Sequence, residues 1–360
     1  MRDVIVNAIK GGNRPQDAAR AVANLAAGTM VSCDLRQSRR FYEEFLGLEC
    51  VQYAKDRLLI RDSHGGAAMN AARQDFFVIE VQQVAAIANP QRMLHHWGID
   101  VSSIAEVDRI HAEATRRKEE FGINKVHPVS QLHGAHSFYF ADRDMNWWEI
   151  EYRLDGLDNE GFFERGDMYP TPTGVSTPSR RTDALPTASP AARSVVANPH
   201  LTHGTCEQRD LEKSRWFLEN VLRLRCVRHL EPAQMFAGSG HFGVFAIRLP
   251  RVKPQTLDNR WIVEVDGIGE IHAIRDRALQ SAETLRLEQI GRVHAGRYGP
   301  TCIIQDQDSN WWEVISAGMT VESIIVPASR LEGRLSDASL HSISRSVSGP
   351  RHLRQRGRHQ

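Results

Sequence analysis

Histidine stands at positions 96 and 203 of this chain and glutamate at 149, inside stretches that the sequence otherwise repeats. Imidazole and carboxylate are the side chains that ligate divalent metals or carry protons near neutral pH. Asp34-Leu35, Ser38, Phe41, Leu48 and Cys50-Val51 recur, in order and spacing, as Asp210-Leu211, Ser214, Phe217, Leu224 and Cys226-Val227. Asn146-Trp147-Trp148-Glu149 recurs as Asn310-Trp311-Trp312-Glu313. At these offsets His203 falls opposite Ala27, His96 opposite Arg260 and Tyr139 opposite Ile303, whereas Glu149 keeps its partner Glu313. Duplication has kept a scaffold and changed its polar chemistry, so function is to be read at the differences.

The elements that carry these residues follow from local pattern. A strand-like run at 28–33 leads into a helix marked by Asp34 and Ser38, with Leu35, Phe41, Tyr42 and Phe45 apolar and Gly47 as its stop. Strand-like segments follow, ending at 76–81. The plan then recurs: strand 97–101, helix 104–117, and strands 137–140 and 147–152 joined by a tight turn at 142–146. Strand, helix and three strands, four times over, predict an α+β protein of four βαβββ units forming two barrel-like halves.

Residues 1–25 read as an N-terminal helical extension, 26–154 as the first half and 199–318 as the second. Between them, 155–198 is rich in Pro, Ser and Thr and reads as a linker, and 319–360 as a largely disordered basic tail. The paired tryptophans at 147–148 and 311–312 persist in both copies, which makes them packing residues. His111 and His272, each in Ile-His-Ala on a helix, are expected to face solvent.

At 360 residues, 41% hydrophobic and 25% charged, the chain is globular in composition, and its net charge of +1 gives no field to draw nucleic acid or a membrane. Five widely spaced cysteines, with Cys50 and Cys226 as repeat partners in apolar runs, imply buried thiols and a reducing compartment. No membrane-length apolar stretch is present, so a cytoplasmic protein is expected.

Together, Cys33-Asp-Leu-Arg-Gln-Ser-Arg-Arg-Phe-Tyr42 with Leu46-Gly-Leu48, His96-Trp-Gly-Ile-Asp-Val101 and Tyr139-Phe-Ala-Asp-Arg-Asp-Met-Asn-Trp-Trp-Glu149 resemble the vicinal oxygen chelate superfamily. That superfamily includes glyoxalase I, bleomycin-resistance proteins and type I extradiol dioxygenases. Arg143 and Met145 depart from the Pro and Gly usual in its last turn. The resemblance implies metal ligands at His96, Glu149 and His203, a set complete only if unit two pairs with unit three across the duplication. Units one and four would then hold Ala27, Arg260 and Glu313, without a metal set. Two imidazoles and a carboxylate on one face suit Fe(II), with Mn(II) as the alternative, and leave positions open for substrate and O2.

Ring-cleaving members carry a tyrosine ten residues before the carboxylate ligand, which is Tyr139 here. His95 and Thr205, beside the ligands, match polar positions of hydroquinone-cleaving relatives, and His127, His133 and His136 are further candidates. Strand parity with Tyr139 ranks His133 first among them. The expected activity is metal-dependent cleavage of a catechol or hydroquinone ring, with a small aromatic diol and O2 as partners and a homo-oligomer left open. Two other readings stand beside it. One is a glyoxalase-like isomerase or lyase using a second carboxylate, for which Glu80 or a residue near it is the candidate. The other is a non-catalytic pocket of the bleomycin-resistance kind.

Overall fold

The computed structural model describes residues 23–61, 77–168, 194–230, 234–239 and 241–316. Unit one supplies strands β1 (Ala23–Ser32), β2 (Glu49–Ala54), β3 (Arg57–Arg61) and β4 (Val78–Gln83). Unit two supplies β5 (Trp97–Asp100), the short β6 (Lys125–Val126) and β7 (Ser130–Leu132), then β8 (Ala135–Ala141) and β9 (Trp147–Arg153). Unit three gives β10 (His200–Gln208), β11 (Arg225–Leu230), β12 (Gln234–Gly238) and β13 (Gly243–Arg248). Unit four gives β14 (Arg260–Val265), β15 (Gln289–Ile290), β16 (His294–Gly296), β17 (Gly299–Gln305) and β18 (Trp311–Ser316).

The helices of units one, two and three begin where the sequence provides a side-chain cap. Asp34 accepts hydrogen bonds from the Arg36 and Gln37 amides at the start of Leu35–Arg40, and Asp210 does the same for Leu211–Trp216. Both helices widen into one π turn, at Phe41–Phe45 and Phe217–Val221, where the repeated phenylalanine enters the core. Gly47 ends the first helix with φ +71°, yet its counterpart Arg223 adopts φ 65° without being glycine. What requires glycine at 47 is crowding, because a Cβ there would overlap the Val196 carbonyl.

The units pair across the duplication. β1 runs antiparallel to β14 and β10 antiparallel to β5, giving two nine-stranded sheets. One sheet holds units one and four, the other units two and three. The two sheets carry the α+β plan of four βαβββ units expected from sequence, and among the described residues neither strand path closes into a barrel. The sheets meet through Trp97 and Trp261, whose ring centroids lie 5.0 Å apart, and through the stacked Phe77 and Phe242 at 3.4 Å. Trp148 and Trp312 are fully buried, as packing residues should be.

The turn at 142–146 forms despite Arg143 and Met145. Asp142 accepts hydrogen bonds from the Asp144 and Asn146 amides, both 2.9 Å, while Met145 takes φ 62° and its counterpart Ser309 φ 63°. Four sequence readings need correction. Ala23–Leu25 belong to β1 and not to a helical extension; positions 1–22 lie outside the described residues. The linker is narrower than its composition implies: Asn159–Arg165 is a helix with Phe162 buried, and Val195 and Val196 bond the Glu44 and Phe45 carbonyls. His111 is half-buried, with Nε2 3.1 Å from the His127 carbonyl, although His272 is exposed as expected. Cys50 is only half-buried, and both it and the buried Cys226 are free thiols. Residues 317–360, with the basic tail, lie outside the described set. Among the described residues no helix is long and apolar enough to cross a membrane.

A candidate metal centre across the duplication

Strand register brings the site together. His203 on β10 stands beside Gly98 on β5, Gly98 beside Glu149 on β9, and Glu149 beside Tyr139 on β8. The matching row in the other sheet reads Ala27, Ile262, Glu313, Ile303. The two rows are complementary in volume: a large His203 faces Gly98, whereas a small Ala27 faces Ile262. A Cβ on Gly98 would overlap the His203 ring, so glycine is what admits the imidazole.

His96 sits just before β5, its amide donating to Thr205 Oγ1 at 3.0 Å. Its Nδ1–H donates to the Met93 carbonyl at 2.6 Å, which leaves the Nε2 lone pair free. That Nε2 lies 2.9 Å from Glu149 Oε2, and His203 Nε2 lies 3.3 Å from the same oxygen. Metal bonds of about 2.1 Å at right angles put neighbouring ligand atoms about 3.0 Å apart, which is the spacing found. His96 Nε2 and Glu149 Oε1 are buried without a hydrogen bond. Acceptors that converge in this way with nothing to accept from suit a cation. His203 Nδ1 is 3.2 Å from Thr202 Oγ1 and 3.4 Å from Glu151 Oε1, and the Thr202 hydroxyl donates to Asp100.

Electrostatics agree with the geometry. Burial alone would raise the Glu149 carboxyl, but the adjacent His203 and His96 imidazoles outweigh it and hold the group well below the usual carboxylate range. Burial likewise lowers the His203 imidazole, keeping it neutral. Burial and then the Glu149 charge push the Tyr139 phenol above its ordinary range, so its proton stays in place. Beneath the ligands Asp100, pushed up to about 6 by burial, contacts Arg153 at 3.2 Å.

A pocket of about 570 Å³, counting its open mouth, lies over the ligands, with Tyr139, His133, Phe162, Phe245, His229 and Gln234 in its walls. His133 Nε2 is 2.8 Å from the Tyr139 hydroxyl and 3.7 Å from Glu149 Oε1. Strand parity was the wrong reason to rank it first, because His133 sits in the β7–β8 turn with φ 43°. His95 does not line the pocket; its ring is buried with both nitrogens unpartnered. Thr205 lines the pocket and supports the His96 amide, as its counterpart Thr29 supports the Arg260 amide at the same 3.0 Å. His136 pairs with Asp108 at 2.9 Å, and His127 packs on Trp147.

Glu80 is in the other sheet, tied to Arg57 at 3.1 Å and Arg297 at 3.4 Å. It neighbours Thr29, as Phe245 neighbours Thr205, so a phenylalanine occupies the place of a second carboxylate beside the candidate centre. Phe245 and His229 escaped the sequence reading because their strands in unit three carry no motif, and Phe162 because its helix lies in the segment read as a linker. The exchange of Gly98 and His203 for Ile262 and Ala27 was visible only once the strands were known to be neighbours.

In the second sheet Arg260 Nε bonds Glu313 Oε2 at 2.6 Å, and Thr301 donates to Glu313 Oε1 at 3.1 Å. Both carboxylate oxygens are thereby satisfied. Glu313→Gln should cost about 1–3 kcal/mol of stability through the weakened Arg260 pair. Metal analysis and turnover should match the parent; loss of either would place the metal in the wrong sheet.

No family model and no curated protein matches the chain. Solved structures do. A variant of glyoxalase I from Zea mays aligns with TM-score 0.52 at 12% identity, over 90% of this chain and 100% of its own. A Bacillus subtilis protein provisionally assigned as a dioxygenase aligns at 0.51 and 12% identity, over 92% and 98%. Likeness at such identity is one of fold alone: the chain shares the fold of these two structures.

Proposed function

We propose that this chain is a cytoplasmic Fe(II)-dependent dioxygenase that opens the ring of a catechol or hydroquinone with O2, with Mn(II) as the alternative metal. The observation that carries the reading is the cross-strand row of His203, Gly98, Glu149 and Tyr139, with His96 beside it and Phe245 where a fourth ligand would stand. His96, Glu149 and His203 would hold the ion, which when bound supplies the electronic route between a diol and dioxygen. Tyr139 keeps its proton and can donate a hydrogen bond to a diol oxygen, with His133 Nε2 2.8 Å from the same hydroxyl and placed to take a proton from the diol. Phe162 and Phe245 seat an aromatic ring and exclude water from the inner pocket.

The isomerase reading calls for a second carboxylate at the centre. Glu80 is in the other sheet, and Glu151 is turned toward His203 Nδ1 and Arg153. Three ligands favour a reaction that needs open positions. The binding-only reading predicts no iron.

Anaerobic reconstitution, iron analysis and oxygen uptake with a panel of catechols and hydroquinones test the proposal. About one iron per chain and uptake with at least one diol are expected. Tyr139→Phe should keep the iron and lower kcat by about 10²-fold or more. Iron binding without oxygen uptake across the panel would remove the ring-cleaving reading.

A further inference from the structure

Arg153 lies four residues beyond Glu149 on β9, so the two side chains share one face of the strand, and both line the pocket. The Arg153 Nε is held by Glu151 at 3.0 Å and Asp100 at 3.2 Å, and Nη1 donates to Asn159 at 2.9 Å. Nη2 is buried and has no hydrogen-bond partner among the described residues. A buried donor left without an acceptor costs about 1–3 kcal/mol, which a ligand oxygen would offset. His229 and Gln234, from unit three, line the same pocket. Arg165 Nη2 lies 3.2 Å from His229 Nδ1, and a guanidinium can only donate. Nδ1 is therefore the acceptor, and the ring carries its proton on Nε2.

The counterpart wall in the other sheet is closed on itself. Arg297, in the place of His133, bonds Tyr53 at 2.5 Å and Glu80 at 3.4 Å, and Arg57, in the place of Gln234, bonds Glu80 at 3.1 Å. Tyr53 and Glu80 stand where His229 and Phe245 stand in the pocket. The exchange removes these cross-links and leaves donors in the wall of a cavity. We propose that Arg153, with His229 and Gln234, forms a subsite for an uncharged oxygen acceptor on the substrate ring, such as the carbonyl of an acyl group. Charge selects the class: Arg153 already answers Glu151 and Asp100, and Arg165 answers Asp155 at 3.8 Å. Three carboxylates against two guanidiniums leave no positive surplus for a carboxylate substituent. The inference rests on the ring-cleaving reading for the diol end of the substrate, and on the pocket alone for the subsite.

Diols of matched size, bearing acetyl, isopropenyl or carboxylate on the ring, test it. Dissociation constants are measured without O2 in protein supplied with Fe(II), and oxygen uptake afterwards in air. The acetyl diol should bind at least about tenfold tighter than either of the others, because a site built to donate to an oxygen rejects the analogue that lacks it. Arg153→Lys keeps a cation against Glu151 and Asp100 but has no atom at the Nη2 position. It should bring the acetyl and isopropenyl diols within about twofold of each other, with iron content unchanged. His229→Phe keeps a ring without the proton and should lower the acetyl preference about threefold. Equal binding of the acetyl and isopropenyl diols by the parent, tighter binding of the carboxylate diol, or a preference that survives in Arg153→Lys would overturn the subsite. So would a failure of all three to bind. An acetyl preference in binding without oxygen uptake would retain the subsite and refute the reaction, and uptake without a preference would do the reverse.

Discussion

His203→Ala is expected to take iron from about one per chain to none detectable, and turnover with it. Removing one imidazole leaves a carboxylate and a single histidine, too few ligands to hold a divalent ion against water. The same loss is expected for His96→Ala, from the other side of the duplication, and none for the exposed His272→Ala on helix Gly267–Leu285. A ligand present at a hundred times its dissociation constant stabilises the native state by about 2.7 kcal/mol. The rise in Tm on adding Fe(II) or Mn(II) should therefore vanish in both ligand variants and persist in His272→Ala. The thermal readout is independent of substrate, so it holds even if the diol panel lacks the right compound.

Gly98→Ala should come next in size, through one added methyl group. Gly98 lies in the middle of its sheet, paired with His203 on one side and Glu149 on the other. The backbone has little room to yield, so the His203 ring must turn away from the new Cβ. Disturbing the partners that hold a metal ligand typically costs 10–100-fold in affinity, and we expect about that loss here, in a protein that remains folded. The matching change in the other sheet behaves differently. Ile262→Ala empties a fully buried site and should cost about 2–4 kcal/mol of stability while leaving iron affinity alone. Wild-type metal affinity in Gly98→Ala would mean that the His203 ring is not where the ion binds.

Much of this was legible in the sequence for physical reasons that can be named. Capping aspartates, the aspartate-nucleated turn and paired tryptophans are local devices, and they repeat once per half, the caps in units one and three and the turns and tryptophans in units two and four. That made the elements and their fourfold plan readable, and the repeat offsets picked out His96 and His203 as the polar changes. What stayed hidden depends on register between distant strands. Gly98 matters only because it faces His203, and Phe245 only because it stands where Glu80 stands in the other copy. His95 and Thr205 were chosen for adjacency to ligands. One ring turned out to be buried away from the pocket, and the other residue supports backbone in both copies. His133 was chosen by strand parity yet reaches Tyr139 from a left-handed turn. Composition misjudged residues 155–168, since a helix of seven residues suffices to bury Phe162 against unit three.

Anomalous diffraction at the iron edge, from crystals grown anaerobically with Fe(II), puts the shared centre to the most direct test. One peak should lie within bonding distance of His96 Nε2, Glu149 and His203 Nε2, with none beside Glu313. A peak ligated from only one side of the duplication, or one at Glu313, would contradict it.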